Sequence, residues 1–132
     1  MLATIPPRAN GGNMDNRHMV EGTTIYFPVF VEGANFSIGD THAAQGDGEV
    51  SGTAIEAGMR IRYRIEVVEG ARPIEEPQYE TDEYYAVTAF ATTLDEAAVK
   101  ATTYMIDYLT AEHDLTPEEA YILCSVAGDL KI

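Results

Sequence analysis

EYYAVTAFATTLDEAAVKATTYMIDYLTAEHDLTPEEAYILCSVAG, residues 83–128, decides the fold class. It opens on a β-branched and aromatic run, Glu83–Thr92, that reads as a strand. Thr93 and Glu96 then make a capping box, which starts a helix. Leu94, Ala97, Ala98, Ala101, Met105, Tyr108 and Leu109 recur every three or four residues, so one face of that helix is apolar. The spacing ends it near Glu112 or His113. Thr116, with Pro117 at the first helical position and Glu119 closing a second box, starts another helix. This one runs through Tyr121, Leu123 and Cys124 to about Ala127, where Gly128 is a natural stop.

Upstream the pattern is strand-like. Met59–Val67, MRIRYRIEV, alternates strictly: Met59, Ile61, Tyr63, Ile65 and Val67 on one face, Arg60, Arg62, Arg64 and Glu66 on the other. Period two predicts a half-buried strand whose arginine row pairs with acids on a neighbour. Thr23–Val31 is a further strand region, and Pro28 inside it marks an edge, a bulge or two short strands. Asn35–Ile38 and Gly52–Glu56 flank a glycine-rich loop as short strand segments. Residues 1–22 and Gly70–Glu83 read as loop. Strands followed by helices favour an α+β fold over parallel βαβ units. The expected architecture is mainly antiparallel β, sandwich-like, with two C-terminal α-helices. The terminal DLKI reads as the start of a strand cut short.

The chain has 132 residues, one domain by length, and a 45% apolar fraction that is ordinary for a globular protein. Its formal charge of −14 argues against nucleic acid and anionic membranes as partners and suits a site that takes cations. A single cysteine, Cys124, excludes an internal disulfide and agrees with a reducing cytoplasm. MLATIPPRANGG has no apolar segment behind a basic start, so no signal peptide is expected. No run approaches the length of a membrane span.

The chemistry concentrates in Phe36–Glu56, FSIGDTHAAQGDGEVSGTAIE. Asp40, His42, Asp47 and Glu49 fall within ten residues, Gln45 lies among them, and Glu56 follows. Crowded carboxylates raise one another's pKa unless something positive joins them. A metal ion is the simplest such partner: carboxylate plus imidazole suits zinc, carboxylates alone suit calcium. Glycines at 39, 46, 48 and 52 let the backbone turn and approach a ligand. The loop lacks the offsets of a helix–loop–helix calcium site. On residues alone it reads equally as a solvated acidic loop.

GDTHAAQGDGEVSGTAIE resembles the signature of the acetamidase/formamidase family of amide hydrolases. PPRANGGNMDNRHMVEGTTIYFPVFVEGANFSIGD and LTPEEAYILCSVAGDLKI resemble flanking segments of the same family. The resemblance implies that residues 1–132 correspond to the C-terminal half of such a fold, a partial domain. It implies hydrolysis of small linear amides, acetamide or formamide, to carboxylate and ammonia. Asp40 and His42 become expected metal ligands, Glu49 and Asp47 ligands or general base, and Glu56 a further ligand. His42 also enters the catalytic set, and Asn13, Asp15 and Gln45 line the site.

The remaining residues agree with a metal route. A serine nucleophile needs a base in reach, and the two lysines, Lys100 and Lys131, sit in a helix and near the C-terminus. Cys124 lies in an apolar helical run, where an inert thiol is the default. A zinc or calcium ion that activates water is the working expectation. Two other readings stand beside it: a noncatalytic cation-binding β-rich module, and a half-subunit that needs a partner chain. The expected partners are a small amide and either further copies in a homo-oligomer, such as a homodimer, or a complementing N-terminal half.

Overall fold

The computed structural model describes residues 3–132. Five short strands come first: β1 (Thr24–Tyr26), β2 (His42–Ala44), β3 (Ile55–Glu56), β4 (Gln78–Glu80) and β5 (Tyr85–Val87). Two helices follow, α1 (Leu94–His113) and α2 (Pro117–Ala127). Every strand pairing is antiparallel. The α+β class with two C-terminal helices therefore stands as the sequence implied.

The helices form where their caps dictate. Thr93 Oγ1 accepts from the Glu96 N–H at 3.2 Å, and α1 stops at Asp114, which is left-handed at φ 53°. At α2, Thr116 Oγ1 accepts from the Glu119 N–H at 3.3 Å, and the Glu119 carboxylate accepts from the Thr116 N–H at 2.9 Å. Those bonds to Thr116 hold the Glu119 carboxyl below its ordinary value. Caps of this kind contribute about 1 kcal/mol each. Gly128 ends α2 without a left-handed turn, since its φ is −88° and its N–H donates to the Cys124 carbonyl.

β4 is the centre of a three-stranded sheet ordered β1-β4-β5. The sequence pattern leaves Gly70–Glu83 as loop, because Pro73, Pro77 and several acids mask it. Yet Glu76–Tyr79 is the most buried run of the described chain. The Glu76 carboxylate and the Gln78 side-chain carbonyl are both engaged, as burial requires. The Glu76 carboxylate accepts from Lys100 Nζ at 2.6 Å and from the Phe90 N–H at 3.0 Å. Gln78 Oε1 accepts from the Tyr85 hydroxyl at 2.5 Å and Arg72 Nη2 at 3.0 Å. Tyr26 donates to Glu80 at 2.6 Å, a bond that, with burial, pushes its phenol up to about 12. Tyr108 of α1 stacks on Tyr85 at 3.8 Å between centroids, which seats the helix on the sheet.

The alternating segment 59–67 departs from its pattern. It forms no ladder, and its apolar face is open, from 40% exposed at Ile61 to 80% at Val67. A strand exists only by pairing, and no described strand lies alongside. Arg64 consequently pairs with Glu66 of its own segment, at 3.1 Å, rather than with a neighbour. Asn35–Ile38 is likewise unpaired, and β1 closes before Pro28. Tyr79 and Ala120 are the buried hydrophobic residues among those described, and the Pro77 side chain is fully buried as well. The surface is 10,126 Å², where a compact monomer of 14.4 kDa exposes roughly 6,800 Å².

Candidate metal centre

β2 and β3 form their own two-stranded sheet, and its register sets His42 opposite Glu56. Cross-strand partners point to the same face, so residues 14 apart in sequence meet. The register slips between His42 and Ala44, a one-residue bulge. Beyond His42 the pairing is closed by Thr41: its carbonyl accepts from the Ala57 N–H at 3.0 Å, and its hydroxyl donates to the Ala57 carbonyl.

Asp40, two residues before His42, completes a cluster. His42 Nε2 lies 3.0 Å from Glu56 Oε2 and 3.4 Å from Asp40 Oδ1. One ligand atom from each of Asp40, His42 and Glu56 falls within 4.8 Å of the other two. The imidazole is 13% exposed, whereas the two carboxylates face solvent. Asp40 and Glu49 adopt left-handed φ of 59° and 37°, and Asp15, nearby, has 51°. Such conformations cost of order 1 kcal/mol or more in non-glycine residues and gather where side chains are held for a purpose.

The other nitrogen of His42 is committed as well. Gln45 Nε2 donates to the Asp15 carbonyl at 2.6 Å, and Gln45 Oε1 lies 3.1 Å from His42 Nδ1. An amide oxygen only accepts, so Nδ1 carries the hydrogen. A neutral His42 would then aim its Nε2 lone pair at two carboxylates. Only a cation at that point, a proton or a metal ion, relieves the repulsion. Burial pulls the His42 pKa down. The Gln45 bond and the charges of Glu56, Asp40 and Glu49 outweigh it and hold the imidazole above its ordinary value of 6.5. One imidazole nitrogen and two carboxylate oxygens form a donor set that fits zinc.

The remaining sequence candidates lie around this cluster. Glu49 is half-buried; burial, then the Asp15 carboxylate and a hydrogen bond to it, push its carboxyl up, against the pull of His42. Asp47 turns elsewhere, its carboxylate 3.5 Å from His18 Nε2. His18 packs edge-on to Tyr84 and was no part of the expected site. Asn13 is half-buried in the N-terminal loop, and neither ring nitrogen of His42 bonds to it. Two open depressions lie in the described surface, and neither is lined by Asp40, His42 or Glu56. One is lined by Arg17, His18, Glu21 and Tyr84, the other by Gln45, Thr53 and Ile55. The Gln45 bridge to Asp15 and the His42–Glu56 register had no local signal, since each joins segments remote in sequence.

The alternatives to a metal are occupied or inert. Lys100 is held as a cation by its bond to Glu76, which raises its pKa despite burial. Burial pushes the Cys124 thiol up, away from the reactive thiolate.

A family model described as the Acetamidase/Formamidase family matches residues 1–131. An acetamidase from Mycolicibacterium smegmatis is 48% identical over 68 residues, 51% of this chain and 17% of that protein. A formamidase from Methylophilus methylotrophus is 48% identical over 48 residues, 36% of this chain and 12% of that protein. The crystal structure of an acetamidase from Bacillus halodurans superposes with a TM-score of 0.81 and 38% identity, over 96% of this chain and 42% of its own. An acetamidase structure from Yersinia enterocolitica gives 0.81 and 29%, over 93% and 37%. The chain thus spans less than half the length of these solved relatives.

Proposed function

The chain belongs to the acetamidase/formamidase family, and from that premise we propose that it carries the metal-site portion of a small-amide hydrolase. The observation that carries this reading is the orientation of His42. Its Nδ1–H is spent on Gln45, and its Nε2 faces Glu56 and Asp40. Asp40, His42 and Glu56 would hold the ion. The nitrogen donor supports zinc over calcium, which takes oxygen ligands. A bound divalent ion supplies Lewis acidity and makes water a nucleophile near neutral pH.

Glu49 is the proton carrier in this reading. A carboxyl raised toward neutrality takes and returns protons more effectively than an ordinary one. Its carboxylate removes a proton from the attacking water and delivers it to the departing amide nitrogen. Acetamide or formamide plus water then leaves as carboxylate and ammonium. Asp47, turned toward His18, has no part in that transfer, and Asp15 keeps the Glu49 carboxyl protonatable.

Metal content and turnover test the reading together. The purified chain is expected to bind one zinc equivalent, and Asp40→Asn or His42→Ala to lose it. In a protein that releases ammonia from acetamide or formamide, Glu49→Gln should keep the metal and lose roughly 10²–10⁴ in rate. Full turnover after thorough chelation, with no metal detectable, would sink the metal route.

A second reading is favoured by the surface. An excess of roughly 3,300 Å² over a compact monomer of this mass is on the scale of an obligate interface. It supports a chain that works only against a complementing half or a second copy. Native mass measurement distinguishes these: a stable, compact monomer at micromolar concentration contradicts both.

A further inference from the structure

We propose that Gln45 is a positioning residue for the metal centre, holding His42 with its hydrogen on Nδ1 so that Nε2 is the atom presented to the ion. The inference rests on the reading that Asp40, His42 and Glu56 bind a divalent metal, and it goes beyond that reading by assigning what aims the imidazole.

The geometry leaves the amide one orientation. The Asp15 carbonyl, 2.6 Å away, accepts only and must face the Gln45 NH₂ group. Turning the amide over would set two oxygens at that distance. The oxygen end is thereby fixed on His42 Nδ1, at 3.1 Å. The hydrogen bond at one ring nitrogen determines what the other presents. Gln45 is not a ligand here, since both its ends are engaged away from Nε2.

The bulge explains how Gln45 reaches that place. In a regular strand residues three apart point to opposite faces. The slip between His42 and Ala44 breaks the alternation, so the side chain of Gln45 returns to the His42 ring. Its anchor is a left-handed residue of the N-terminal loop, Asp15 at φ 51°. The metal site is thus braced from two directions: Glu56 across the strand pair and, through Gln45, the loop around Asp15.

Without Gln45 the balance inverts. Nδ1 loses its acceptor, and Glu56 and Asp40 compete for a hydrogen on Nε2. An incoming ion at Nε2 must then drive that hydrogen round to Nδ1, where no acceptor meets it.

The test uses ¹⁵N spectra of His42 in the full chain, metal-free, at ~pH 8, beside zinc titrations against a competing chelator. The wild type should show a protonated Nδ1. Gln45→Met, similar in length but without donor or acceptor, should show a bare Nδ1 and weaker zinc binding by roughly 10–100-fold. Gln45→Glu keeps an acceptor but cannot donate to Asp15. It should retain the protonated Nδ1, whereas a residue that merely anchors the loop would fail equally with Glu or Met. A bare Nδ1 in the wild type, or a Gln45→Met chain with unchanged spectrum and zinc affinity, overturns the proposal. The wild-type spectrum needs no variant to fold. If it shows the protonated Nδ1 while no zinc binds, the metal reading fails and the assignment of the hydrogen stands.

Discussion

In the proposed site metal and proton compete for a single atom, His42 Nε2, and that competition has a calculable pH dependence. Nδ1 keeps its hydrogen on Gln45, so binding of an ion displaces one proton, from Nε2. Glu56 Oε2 at 3.0 Å and Asp40 Oδ1 at 3.4 Å favour the protonated ring as well as the metal. The imidazole therefore titrates above its ordinary 6.5 in the metal-free chain, although burial opposes this. Below that raised value, zinc affinity should fall about tenfold for each pH unit. Above it the affinity levels off.

The sign for stability is opposite in the two states. Metal-free, the raised pKa contributes stability that is fully present below 6.5 and lost as pH rises through the raised value. Metal-loaded, the folded imidazole holds no proton at Nε2, so stability grows with pH below 6.5, where the unfolded imidazole still binds one, and is level above it. Zinc titrations with a competing chelator, at several pH values above the carboxylate range, read the slope. His42→Gln should bind more weakly and with that slope removed. A wild-type affinity independent of pH, or a slope unchanged in His42→Gln, refutes the assignment of Nε2 as the exchanging atom.

Other outcomes follow from the packing. Lys100→Met strips the buried Glu76 carboxylate of its cation and leaves it the Phe90 N–H alone, so urea unfolding should show a loss of about 1–3 kcal/mol. Cys124→Ala should cost about 1 kcal/mol in the same assay and leave zinc content unchanged, as expected of a half-buried, unreactive thiol. Saturating zinc should slow amide exchange across Thr41–Ala57 while leaving α1 unaffected. At a hundredfold excess over the dissociation constant the added protection corresponds to about 2.7 kcal/mol, and equal exchange with and without zinc would contradict the site.

What was legible in the sequence is what depends on neighbours in sequence. Thr93, Thr116, Pro117 and Glu119 cap helices within one turn, and the helices end at His113 and Ala127, where the spacing put them. Strands depend on partners instead. Period two in 59–67 is a request for a neighbour on either side, and no described strand answers it. Gln78–Glu80 shows the converse: three polar or aromatic residues behind a proline carry no strand pattern. They become the central strand because β1 and β5 both pair with them. The acidic loop announced itself by composition and glycine content. Which of its acids would face His42 did not, because that follows from a strand register 14 residues away and from a bulge.

The same distinction bears on why the cluster sits where it does. β2 and β3 together are five residues, and a two-stranded pairing that short is marginal in water. Its strand pairing is reinforced by the Thr41–Ala57 bonds, and the Gln45 bridge ties it to the N-terminal loop. Its His42 face adds two exposed carboxylates, and the flanking Asp40 and Glu49 are left-handed, each of which works against it. An element this lightly held does not form such a face for its own stability. The proposed divalent cation would convert the carboxylates from a cost into ligands, and its binding free energy would become folding free energy for the hairpin. In the polar core around Gln78, by contrast, Oε1 already accepts from Arg72 and Tyr85, and Tyr85 stacks on Tyr108 of α1. The chain thus divides its work. In the proposed reading the sheet and α1 carry the fold, and the β2–β3 hairpin, with its cation, carries the chemistry.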